Sequence, residues 1–190
     1  MFEKKNFCWK PALAILGLVA SMAGATAAPS GTLTVVVPNF GRELLDLGKT
    51  STQDLQYTGH INEPLIGTAP DGKLAADRGL AESWTMDQDA KTFTVTLRRD
   101  VKWHDGKPFT ADDVVFSLTE RYVAKDAICT FCRLLQAVSE VKAEGDHKVR
   151  ITLKEPDPSF LAVLSARDGD IRILPRHNYR ATAEGFEMVG

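Results

Sequence analysis

The chain has 190 residues, 44% hydrophobic and 25% charged, with a formal net charge of -2. That composition is globular and excludes a wholly disordered or fibrous chain. The near-neutral charge supplies no basic field, so no nucleic-acid partner is expected, and three cysteines are too few for a disulfide scaffold.

Residues 1–27 read as a signal peptide. Lys4, Lys5 and Lys10 form a positive start, Pro11–Ala20 an apolar run, and Ala25-Thr26-Ala27 offers small residues for cleavage before Ala28. The competing reading is a retained anchor, but the apolar run is short of the about 20 residues that span a bilayer. Cys8 would leave with the signal, and no cysteine directly follows the apolar run to accept a lipid. Residues 28–190 are then the exported portion, where disulfides persist.

In the exported portion, Leu33–Val37 is β-branched, is stopped by Pro38, and predicts a buried strand. A loop follows, then a helical stretch toward Ile61 that ends before Pro64. Leu74–Ser83 predicts irregular chain or a short helix. Trp84–Met86 and Thr92–Arg98 flank a polar turn. The alternation of Phe93, Val95 and Leu97 with threonines predicts a half-buried strand and hence a hairpin. Thr110 followed by Asp112 and Asp113 predicts a helix start, with Val114, Val115, Leu118 and Tyr122 on its apolar face. Val138–Ala143 and Lys148–Lys154 predict a second hairpin. Asp157-Pro158 predicts a helix to about Leu164, Ile171–Leu174 a short strand, and Pro175 a final turn. The expected class is α/β, mixed α and β with antiparallel hairpins; βαβ alternation is missing, so a doubly wound sheet is not expected.

Three blocks in this order resemble one family. They are Leu80-Ala81-Glu82-Ser83-Trp84, then Val101-Lys102-Trp103-His104-Asp105-Gly106, then Pro108–Leu118 (PFTADDVVFSL). They resemble the family 5 extracellular solute-binding proteins of bacterial ABC importers, and the segments EPDPSFLAVLS and ILPRHNY continue the likeness over essentially all of 31–190. One departure is Asn62, where the family often has an aromatic residue before Glu-Pro-Leu. The resemblance implies a type II periplasmic binding protein fold with two lobes closing on a ligand. Members are longer, so residues 28–190 are expected to be the N-terminal lobe only, with the second lobe missing. It further implies a periplasmic monomer that captures a peptide or similar small solute for an inner-membrane ABC permease, without cofactor or enzymatic activity.

The loop beyond the first strand carries the candidate ligand contacts Pro38, Asn39 and Phe40. Ligands of α/β lobes bind beyond strand ends, and the resemblance also implies a cleft here. Tyr57 and Asn62 are further candidates. The ordinary-loop reading stands beside them.

His104-Asp105 invites a catalytic reading, but neighbours on an extended chain point to opposite faces, so a turn at Asp105-Gly106 with a locally bonded His104 is expected. Asp112 and Asp113 fit helix N-terminal charge better than a metal, and His60, His104, His147 and His177 show no HExxH spacing. Arg98, Arg99 and Lys102 read as solvated charge. Cys129-Thr130-Phe131-Cys132 admits a redox pair, half a zinc site, or a local disulfide; export favours the disulfide. The competing functions are an exported hydrolase or thiol redox protein built on His104 or the cysteine pair, and a non-binding fragment.

Overall fold

Period-two alternation builds the centre of the molecule. Strand β4 (Thr92–Leu97) sends Phe93, Val95 and Leu97 wholly into the core and leaves Thr92, Thr94 and Thr96 half-buried on the other face. Each such apolar side chain contributes about 1.5–3 kcal/mol on burial. The structure is a computed structural model and describes residues 32, 34, 36, 39, 41, 45–169 and 171–189.

Before β4 come a 3-10 turn (Leu47–Lys49), the short helix α1 (Leu55–Thr58), and the two-residue strands β1 (Gly67–Thr68) and β2 (Leu74–Ala75). Strand β3 (Ala81–Met86), β4, β5 (Val138–Ala143) and β6 (Lys148–Leu153) form one antiparallel sheet in the order β3-β4-β6-β5. Its register sets Trp84 opposite Val95, and Phe93 and Val95 opposite Ile151 and Val149. Both hairpins expected from the alternation are present. The other face carries Thr94, Arg150 and Lys142 side by side across three strands, as a solvated sheet face should.

Helix α2 (Ala111–Phe116) covers the inner face with Val114 and Phe116. A capping box closes its start: Thr110 N–H donates to Asp113 Oδ2 (2.9 Å). It continues as a wide π turn (Ser117–Arg121), in which Tyr122 N–H reaches Ser117 O (3.2 Å), and Leu118, Arg121 and Tyr122 are all buried. Helix α3 (Phe160–Val163) stacks Phe160 on Phe93, with ring centroids 6.0 Å apart. A 3-10 turn (Arg176–Asn178) precedes a hairpin of β7 (Tyr179–Ala181) and β8 (Phe186–Met188), whose Tyr179 and Phe186 rings each lie 5.3 Å from Phe116.

Several expectations change. Of the strand expected over 33–37, Thr34 and Val36 are among the described residues; both are exposed and in no strand. Leu33, Val35 and Val37 of that run lie outside the described residues. Ala81–Ser83 is strand, because Ala81 pairs with Leu97 and its N–H donates to Leu65 O (2.9 Å). The expected cap at Asp157-Pro158 is present, since Asp157 Oδ1 accepts from Ser159 N–H (2.9 Å) and Asp157 O from Phe160 N–H (3.2 Å), although regular helix begins only at Phe160. Ile171, Ile173 and Leu174 are buried, but among the described residues the segment forms a single bridge, Arg172 to Pro64, rather than a strand.

Candidate functional site

The segment after the expected first strand folds back on a buried carboxylate. Asn39 Oδ1 accepts from Gly41 N–H (2.8 Å), and Gly41 sits at φ +65°. A Cβ on Gly41 would lie 2.6 Å from Asp54 Oδ1 and 2.7 Å from Ser51 Oγ, so a larger residue has no room there. Asp54 is wholly buried and accepts from Ser51 N–H (2.6 Å), Ser51 Oγ (2.7 Å) and the Tyr57 hydroxyl. Of the sequence candidates, Tyr57 directs its hydroxyl to the Asp54 carboxylate, whereas Asn39 bonds within its own turn to Gly41, the residue that packs on Asp54. Pro38 and Phe40 lie outside the described residues.

Facing this segment is the cysteine loop. Ile128 N–H donates to Gly48 O (2.9 Å), and the Thr52 and Thr130 hydroxyls share a hydrogen bond (3.2 Å). Cys129 and Phe131 close a small cavity with Leu47, Thr50, Ser51 and Tyr122. Cys129 and Cys132 are disulfide-bonded, with Cα atoms 5.4 Å apart. The result is a rim that presents the exposed hydroxyls of Thr52 and Thr130 beside half-buried Phe131. Such groups can hydrogen-bond a polar solute as donors and acceptors and pack on an apolar part of it.

Asn62 lies elsewhere. It borders a groove of about 380 Å³ with Ile61, Trp103, His104, Leu174 and Tyr179, and its carbonyl accepts from Arg172 Nη1 (2.9 Å). Next to that groove, Asp105 does not pair with His104. It accepts from Lys107 N–H (3.1 Å) and contacts Lys107 Nζ and His177 Nε2 (2.9 Å each). Lys107 above all, with His177 in support, holds the Asp105 carboxyl down at about 2. Asp113 acts as a structural acceptor rather than a ligand: besides the cap, it takes Trp103 Nε1 (3.1 Å) and Arg176 N–H (2.9 Å). Among the described residues no group of three or more His, Cys, Asp or Glu side chains could hold a metal ion.

Beside the Leu47–Lys49 turn lies a charged cluster with no local signature in the sequence. Arg121, wholly buried, binds Asp46 and Asp126, and Asp126 binds Lys49 (2.9 Å). Burial drives the Tyr179 hydroxyl, which donates to Asp46 Oδ1 (3.3 Å), far above the ordinary tyrosine range. Opposite charges help raise Arg121 further despite the opposing effect of burial. Asp46 and Arg121 lie 75 residues apart, and no local pattern links them.

The family model of bacterial extracellular solute-binding proteins, family 5 (middle portion), matches residues 77–185. The chain belongs to this family, which is one of solute-binding transport proteins. The periplasmic oligopeptide-binding protein OppA of Escherichia coli (strain K12) is 34% identical over 162 residues, which are 75% of this chain and 28% of that one. The dipeptide-binding protein of the same strain is 38% identical over 103 residues, 46% of this chain and 19% of that one. The chain thus spans less than a third of the length of these relatives. Among solved structures, MoaA of A. tumefaciens R10 in complex with mannopinic acid is 37% identical with a TM-score of 0.59, covering 70% of this chain and 27% of that one. NikZ of Campylobacter jejuni with Ni(L-His) is 30% identical with a TM-score of 0.53, covering 62% and 22%. The fold is that of the type II periplasmic binding proteins, mixed α and β with antiparallel sheets. No helix of the described residues is long and apolar enough to cross a membrane.

Proposed function

We propose that this chain is the N-terminal part of a periplasmic receptor that captures peptides or similar small solutes for an inner-membrane ABC permease. The family match over residues 77–185 carries this reading. The names of the curated relatives, which bind dipeptides, oligopeptides and glutathione, support a peptide-like solute. In this reading residues 1–27 are cleaved as a signal, residues 28–190 belong to a receptor that works as a monomer, and Pro38, Asn39 and Phe40 contact the solute, with Thr52 and Thr130 as further polar contacts. Tyr57 supports the rim through Asp54, and Asn62 marks a separate groove. Ligand contacts stabilise a closed arrangement of two lobes, which is a population shift.

The test is uptake. Deleting the gene should abolish import of at least one labelled di-, tri- or oligopeptide, and restoring it should recover import. Unchanged uptake of every peptide tested would overturn the reading. N-terminal sequencing of the exported protein should begin at Ala28.

A further inference from the structure

We infer that the Cys129–Cys132 disulfide is a positioning element of the rim: it holds Thr130 and Phe131 on the Leu47–Thr52 segment, so that reduction loosens the rim and weakens solute capture. The solute part of this inference rests on the function proposed above; the positioning part does not.

A bridge between residues three apart ties no distant elements together, so its effect is confined to its own loop. One end of that loop is fixed. Cys132 begins a 3-10 helix (Cys132–Ala137) anchored by buried Leu135, and this helix runs directly into β5. The other end is lightly held. Ile128 is 56% exposed, and its N–H donates to Gly48 O (2.9 Å). Thr130 is exposed and meets Thr52 through one hydroxyl pair (3.2 Å). An exposed hydroxyl pair competes with water and holds little by itself. Cys129 and Phe131 also pack partly buried against the core, and the covalent link to Cys132 adds a fixed restraint to that packing. It keeps Cys129 and Phe131 in the wall they share with Leu47, Thr50 and Ser51.

The chemistry balances with a dithiol reductant. Thiolate attack on one sulfur opens the bridge through a mixed disulfide, and the second thiol of the reductant resolves it. Cys129 and Cys132 each end with a proton, the two electrons come from the reductant, and the reductant leaves as its own disulfide.

The experiment is hydrogen exchange on the same protein, air-oxidised and then reduced with dithiothreitol, together with calorimetric titration of the best imported peptide. On reduction the Ile128 amide and the amides of residues 48–54 should exchange at least tenfold faster. Amides in β4 and β6, such as those of Phe93, Val95 and Ile151, should not change. Peptide affinity should fall by about tenfold, and reoxidation should restore both. The Cys129→Ser/Cys132→Ser protein should match the reduced one. Unchanged exchange at residues 48–54 and Ile128 overturns the inference whether or not any peptide binds. Acceleration spread equally through β4 and β6 also overturns it, because the bridge would then serve global stability only. The expected exchange pattern with no peptide bound in either state would sink the solute-binding reading and leave the positioning role standing.

Discussion

Arg121 grips Asp46 through two parallel hydrogen bonds, Nε to Oδ1 at 3.0 Å and Nη2 to Oδ2 at 2.6 Å, while its own side chain is completely buried. The same guanidinium reaches Asp126 at 3.2 Å and lies over the Tyr179 ring. This joins the 3-10 turn at Leu47–Lys49, the π turn after α2 and the β7–β8 hairpin beneath the cysteine loop. A buried pair is not by itself a large source of stability, but removing one partner leaves the other charge uncompensated. Arg121→Ala should therefore cost about 3–5 kcal/mol in urea unfolding, more than Asp46→Asn. A loss under 1 kcal/mol would show that water already reaches the cluster.

Gly48 packs tightly against that cluster. A Cβ there would stand 2.3 Å from the Arg121 Cζ atom. The guanidinium is held on two sides and cannot swing away cheaply. Gly48→Ala should destabilise by about 1–3 kcal/mol. In an Arg121→Met background the same change should cost less, since a flexible thioether can yield. Equal costs in both backgrounds, read from a double-mutant cycle, would contradict the steric account.

Asp113 gathers three donors, Trp103 Nε1, Thr110 N–H and Arg176 N–H, at 2.9 to 3.1 Å, with only 5% of its surface exposed. Asp113→Ala would strand all three and should cost about 1–3 kcal/mol. Trp103 fluorescence should shift as its indole loses its acceptor. A destabilised protein with an unchanged Trp103 signal would limit the effect to the helix cap.

Asp105 offers a pH test. Its carboxyl is depressed to about 2, chiefly by Lys107 and further by His177. A depressed folded-state value means that the carboxylate's contribution to stability is fully present above about pH 4 and is lost as pH falls through about 2. Carboxyl NMR should place its midpoint near the lower value, and Lys107→Ala should move it up toward the ordinary aspartate range. Because the group is exposed, salt should weaken the shift. A midpoint unaffected by Lys107→Ala would remove the lysine as its cause.

Local patterns were readable where one element needs only itself. The threonine alternation of β4, both hairpins of the central sheet, and the capped start of α2 follow from spacing and end chemistry. Prediction failed where tertiary partners decide. Ala81–Ser83 looked irregular, yet β4 and Leu65 draw it into a strand. Asp157-Pro158 does cap the turn that leads into α3, and only the start of regular helix falls later, at Phe160. At the candidate site, the sequence singles out Tyr57 but not the Asp54 carboxylate that receives its hydroxyl. Asp54 carries no signature in sequence, because its meaning comes from Gly41 and Tyr57 folding onto it.

The order of residues by itself determined the family, through three blocks between Leu80 and Leu118, and the mixed α/β class, through periods of two and of three to four. These are properties of neighbouring residues and survive without a fold. Only the tertiary structure decided that Arg121 belongs with Asp46, that Asp105 answers to Lys107 and His177 rather than to His104, and that Thr130 faces Thr52. Each of these pairings except Asp105 with Lys107 joins groups more than seventy residues apart. Burial and close packing bring them together, and charge or hydrogen-bonding capacity then fixes the partner.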